Sequence, residues 1–141
     1  MSTGFPFQRQ GYVSIVNQDG IVAEPYSLSQ LFNLTVLGEH LVANIQLLQD
    51  SEFSMQDILA LFSTGAPGCH IQITDTSSGK TLFNNPIPGQ ALLSNVAGWP
   101  FQLPVPYVFR ANGSIKIDIY NDVNGVNNVE IVFHGIRLYK G

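Results

Sequence analysis

In SIKIDIY (114–120) every second residue is isoleucine, so Ile115, Ile117 and Ile119 fall on one side of an extended chain and Lys116, Asp118 and Tyr120 on the other. A period of two is what a β-strand with one buried and one solvated face requires. Runs of the same β-rich kind recur at 12–16, 31–37, 41–48, 70–74, 107–109 and 129–139. Turn formers separate them: Asn17 to Gly20, Gly38-Glu39, Asp75 to Gly79, Asn84 to Pro86, Ala111 to Gly113 and Asn121 to Asn128. Strands at this spacing predict an all-β chain, an antiparallel sandwich or barrel.

Two segments depart from the alternation. DSEFSMQDILALFSTGAPG sets Phe53, Ile58, Leu61 and Phe62 mostly three or four residues apart and ends in Gly65 and Pro67, which predicts one short helix near residues 53–62. Ser51 or Ser54 is placed to cap it, with Asp57 three residues after Ser54 and the acidic Asp50 and Glu52 near its start. Residues 84–107 hold five of the eight prolines, so an irregular or edge path is expected there, and with it the most plausible binding surface.

At 141 residues the chain fits one domain, taken as 11–141, preceded by an arm of residues 1–10. That arm carries Phe5 and Phe7 around Pro6, and it needs apolar cover on its own sandwich or on a neighbouring subunit. Charged residues are only 11% of the chain, against roughly 25% in an ordinary soluble domain. The surface must then be amide, hydroxyl and glycine, or be covered by another molecule. Assembly is the simplest remedy. Net charge is −4 and the six Lys and Arg residues are scattered, so there is no basic stripe for a nucleic acid. Neither a signal leader nor a long apolar span is visible, which predicts no membrane segment. The lone Cys69, in an apolar strand-like run, reads as a small buried hydrophobe.

Candidate chemistry is sparse. The Asn-rich stretch 121–128 resembles a calcium loop in composition, but counting from Asp122 puts Val126 fifth and Asn127 sixth, where a ligand and a glycine are needed. The stretch is a turn into the closing strand, within which Gly135 marks a bulge or a close backbone approach. His40, His70 and His134 are far apart in sequence and show no zinc spacing, and His134 reads as a partly buried, hydrogen-bonded side chain. No nucleophile elbow, phosphate-binding loop or pair of catalytic carboxylates stands out, so no enzyme, cofactor or metal is expected. Aromatic side chains offer another activity: Trp99 and Tyr107 lie in the proline-rich stretch beside Asn and Gln, either as core residues or as anchors for a protein or glycan. With Phe5, Phe7, Tyr12 and Arg137 they form the candidate interface set.

The order of these features resembles the small jelly-roll decoration, or cement, proteins of tailed bacteriophage capsids. The likeness rests on Asp50 to Phe53 in DSEFSMQDI, the strand and turn CHIQITDTSSGKTLF, the PVPYVFRANGSIKIDIYND hairpin with Gly113-Ser114, and Gly135 and Arg137 in the final strand. It spans roughly residues 31–140 and carries no catalytic residue across. It implies a jelly-roll-like antiparallel sandwich of about eight strands, made in the host cytoplasm. It further implies binding to the major capsid protein on the virion surface as a homo-oligomer, a dimer or trimer. The alternative reading is a carbohydrate-binding sandwich, a virion module adhering to a host glycan.

Overall fold

The computed structural model describes residues 15–16, 20–62, 68–92 and 101–140. The arm 1–10, with Phe5 and Phe7, lies outside the described residues, as do Tyr12 and Trp99. The described residues form ten strands: β1 (Ile15–Val16), β2 (Ile21–Leu34), β3 (His40–Gln46), β4 (Glu52–Phe62), β5 (Cys69–Asp75), β6 (Lys80–Thr81), β7 (Ile87–Pro88), β8 (Phe101–Phe109), β9 (Ser114–Asn121) and β10 (Asn127–Lys140). A 3-10 turn, Gly89–Leu92, follows β7.

All pairings are antiparallel, in two sheets. Sheet A runs β1-β2-β10-β4-β8, and sheet B runs β3-β9-β5-β6, with β7 also on the open side of β5. From β2 to β5, and again from β8 to β10, each strand lies in the opposite sheet from the one before it. The short β6 and β7 together serve as the eighth strand. This is the jelly-roll sandwich, in which two Greek keys close over one core.

The isoleucine face of β9 supplies Ile115, Ile117 and Ile119 to that core, all fully buried, beside Ile71 and Ile73 of β5. Sheet A meets them with Leu34, Phe53, Met55, Ile58, Phe109 and Phe133, each 2% exposed or less. Burying one such side chain stabilises by about 1.5–3 kcal/mol, so this layer is the main source of cohesion in a chain with no disulfide. Between the layers, the Tyr107 hydroxyl on β8 donates a 2.8 Å hydrogen bond to the Asp75 carboxylate at the end of β5. Asp75 is buried and also accepts from the Ser77 backbone and the Ser78 hydroxyl, which fixes the turn after β5.

The expected helix over 53–62 is instead strand β4. Its inward side chains are Phe53, Met55, Ile58 and Ala60, and the register against β10 shifts between Met55 and Asp57. Gln56 is thus an extra residue, a β-bulge that turns the two-residue step between inward side chains into a three-residue one from Met55 to Ile58. The step imitates helical spacing. Neither Ser51 nor Ser54 caps a helix, and Asp57 faces His134 on β10 rather than a helix end. Strand β2 begins ten residues before the 31–37 run that the pattern predicts; Pro25 within it lies just past the two residues that β1 covers, where β2 is itself an edge.

The proline-rich stretch takes an edge path over its described strand. β8 is the outermost strand of sheet A, and Met55 pairs with Tyr107 while Asp57 pairs with Gln102. Residues 103–106, including Pro104 and Pro106, therefore bow out opposite Gln56, which removes donors from an edge that would otherwise invite another strand.

Candidate interaction surface

Strand alternation decides which side chains of sheet A face away from the core. Phe32 and Leu34 of β2 point inward, so Leu31, Ser29, Ser27 and Pro25 point outward; on β10 the inward Val129, Ile131 and Phe133 leave Glu130, Val132, His134, Ile136 and Leu138 on the outside. The ladder sets these in rows: Leu31–Glu130–Leu61, Ser29–Val132–Leu59, Ser27–His134–Asp57–Gln102 and Pro25–Ile136–Ser54–Val108. Leu31, Leu61 and Val108 are 54%, 47% and 49% exposed. A shallow recess of about 200 Å³ opens at one end of the face, between Leu31, Leu61, Phe62, Asn128 and Glu130.

The outer face of sheet B is built differently. Its outward residues are His40, Val42, Asn44 and Gln46 of β3, Ser114, Lys116, Asp118 and Tyr120 of β9, and His70, Gln72 and Thr74 of β5. Only Val42 is aliphatic. His40 stacks on Tyr120 at 4.3 Å between centroids, and its Nε2 lies 2.8 Å from the Asp118 carboxylate. Across Tyr120 in the same row, His70 Nδ1 lies 2.5 Å from Asp122. The outer side of sheet A thus mixes aliphatic side chains with polar ones, whereas that of sheet B is almost wholly polar.

Each of the three histidines of the chain faces an aspartate, a relation the sequence hides because the partners are 52 to 78 residues apart. His134 Nδ1 is 2.6 Å from Asp57, and Ser27 pairs with His134 on the other side. Ser27, His134 and Asp57 are the residue types of a nucleophilic triad, but such a triad needs the serine hydroxyl on the free imidazole nitrogen. Among the described residues no hydrogen bond joins Ser27 to His134, and the row lies across the surface of a sheet. What the His134–Asp57 pair does is satisfy two polar groups in a polar row on the outer side of sheet A. Among the described residues no group of three or more His, Cys, Asp and Glu is placed to hold a metal ion.

In the Asn-rich turn, Asn121 and Asn127 are buried and serve the backbone. Asn121 donates to the carbonyls of Val36 and Gly125 and accepts from the Val123 amide; Asn127 donates to Gly68 O at 3.2 Å. Cys69 is 1% exposed, and burial, then the charge of Asp122, pushes its thiol up to about 12.

The two described members of the candidate interface set have internal partners. The Tyr107 hydroxyl is held by Asp75 and its ring lies 4.7 Å from that of Phe109. Arg137 donates from Nε to Glu24 at 2.8 Å, and its guanidinium sits 4.8 Å from the Tyr139 ring and 5.8 Å from that of Tyr26. The hydrogen bond to Glu24 is the main reason its pKa lies above the ordinary value. The apolar rows of sheet A were the signal missed: Leu31, Leu59, Leu61 and Val132 look like core residues in sequence, and only the register shows that they share the outer side. No family model matches the chain, and no curated protein and no solved structure matches it.

Proposed function

We propose that this chain is a structural protein that works by protein–protein contact, decorating or cementing the capsid lattice of a tailed bacteriophage. The observation that carries the reading is the set of exposed aliphatic side chains, Leu31, Leu61 and Val108, on the outer side of sheet A of a molecule with 11% charged residues. Exposed aliphatic side chains gathered on one sheet face suit a docking surface. A jelly-roll sandwich in which Asp75, Tyr107 and Asn121 serve turns and the tie between the layers suits a part that is held. A repeating lattice multiplies weak contacts into a firm hold, so few charges are needed at any one of them. The resemblance of the motifs at Asp50 to Phe53, Asp75 to Gly79, Gly113-Ser114 and Gly135 to the phage decoration proteins supplies the partner, the major capsid protein.

The test is addition of the purified chain to mature heads of the virus that encodes it, followed by sedimentation. Saturable co-sedimentation at a fixed number of copies per head is the expected result. A chain that stays in the supernatant at micromolar concentration and is missing from purified virions overturns the reading.

A further inference from the structure

We infer that the chain meets its lattice partner at one end of the sandwich, where the turns 36–39 and 122–126 form an aliphatic tip that seats in an apolar hollow rimmed by Lys or Arg. The inference deepens the assembly reading above and rests on it. Val36, Leu37 and Val126 are each 59% exposed, more than Leu31, Leu61 or Val108 on sheet A. The two turns belong together. The Asn121 side-chain amide donates to the carbonyls of Val36, at 2.8 Å, and Gly125, at 3.1 Å, so both turns converge on one nitrogen. Backbone bonds from Gly38 to Asn121 and from Asn121 to Glu39 fix the first turn to the end of β9. The tip therefore has its shape before a partner arrives, and little ordering is needed to seat it.

Folding does not ask for these side chains. The Glu39 amide donates to the Val36 carbonyl and Gly38 has a φ of 82°, so residues 36–39 are a β-turn whose third position needs glycine. Leu37 fills the second, where proline or a polar residue would serve. Single exposed aliphatic side chains are ordinary. Three on one pinned end, in a chain with 11% charged residues, suit a docking point.

The chemistry of the partner follows from where the charges lie. Glu39 and Asp122 border the tip, and the Thr35 amide, donating to the Glu39 carboxylate at 2.6 Å, holds its pKa below the ordinary value. Asp122 faces His70. Among the described residues Lys80, Arg110 and Lys140 stand at the opposite end of the strands, and Lys116 and Arg137 lie in that half. A basic rim on the partner complements such an end. A lipid surface fits it less well, because anionic headgroups would meet carboxylates where they need cations. The recess between Leu31, Leu61 and Glu130 opens at this same end of sheet A, so the tip continues the surface that carries the assembly reading. Contact through so few side chains is small, and a repeating lattice is what makes it hold.

The experiment is sedimentation of the full chain with mature heads over a range of concentrations, beside five variants whose folding circular dichroism checks. Leu37→Lys and Val126→Lys alter exposed turn positions, and each is expected to raise the apparent dissociation constant at least about tenfold. Gln49→Lys, exposed in the turn before β4 at the other end, should bind as the wild type does. Asn124, exposed in the second turn, reports the sign of the rim: Asn124→Asp should tighten binding about threefold and Asn124→Lys weaken it by as much. Heads that bind Leu37→Lys as well as the wild type, or the two Asn124 variants equally or in the opposite order, overturn the inference and leave decoration standing. A wild type that ignores heads overturns both readings. Binding of the wild type to phosphatidylcholine vesicles, lost in Leu37→Lys, also overturns the inference, because the tip would then serve a lipid surface.

Discussion

Gly135 shows how one residue can hold two strands in place. A Cβ there would overlap the carbonyl oxygen of Ser54 and crowd the Met55 Cα, and both belong to β4 backbone that cannot swing aside. The bulge at Gln56 brings β4 this close, at the point where the register with β10 shifts between His134 and Gly135. Gly135→Ala is expected to cost about 2–4 kcal/mol, as overpacking against backbone does, and a urea titration measures it. A second residue-scale expectation concerns Cys69. With its thiol pushed up to about 12 by burial, roughly one molecule in ten thousand is thiolate at pH 8. Alkylation by iodoacetamide should be undetectable over hours in the folded protein and complete within minutes in 8 M urea; fast labelling of the native chain would contradict the burial. Both residues were legible in sequence in kind, Gly135 as a bulge or close approach and Cys69 as a small hydrophobe. What the sequence did not contain was the partner strand. That partner turns a glycine in a strand into a fixed point.

At the scale of elements, the Tyr107 to Asp75 hydrogen bond joins β8 to β5 and so ties the edge of sheet A to sheet B. Desolvation first, and then the Asp75 carboxylate, raise the Tyr107 phenol above its ordinary pKa of about 10. Folding therefore favours the protonated phenol. That stabilisation is whole below about pH 10 and is lost as pH rises through the folded value, because the unfolded tyrosine ionises first. Tyr107→Phe should cost about 1–3 kcal/mol at pH 7, since buried Asp75 loses a donor, and should shrink the alkaline fall in stability. Tyr139 is raised as well, so the fall should shrink rather than vanish; an unchanged alkaline limb would mean that the bond carries no weight. Strand β4 marks the limit of what periodicity can say. The apolar spacing 53, 58, 61, 62 is compatible with a helix and with a bulged strand, and only pairing with β10 and β8 chooses between them. Strand β9, with an unbroken period of two, left no such choice. The sequence was readable wherever one strand could be judged alone and ambiguous where a neighbour set the register.

For the whole molecule the difference between its two outer faces matters most. None of the rows on sheet A is contiguous in sequence, since Leu31, Leu59, Leu61 and Val132 come from three strands, so the low charge content of the chain pointed to a covered surface without locating it. The register shows that these side chains share the outer side of sheet A. On the reading proposed above, Leu61→Lys, at a position 47% exposed in the row Leu31–Glu130–Leu61, should leave the stability of the free chain within about 0.5 kcal/mol, because an exposed substitution removes no core packing. The number of copies bound per capsid head should fall, while Val42→Lys, 48% exposed on sheet B, should bind as the wild type does; equal binding of the two variants in head sedimentation would take the contact away from sheet A. Salt gives an independent check on the character of the contact. A contact held by aliphatic side chains should persist at 1 M sodium chloride, where the Debye length is about 3 Å, whereas one held by surface ion pairs should be lost.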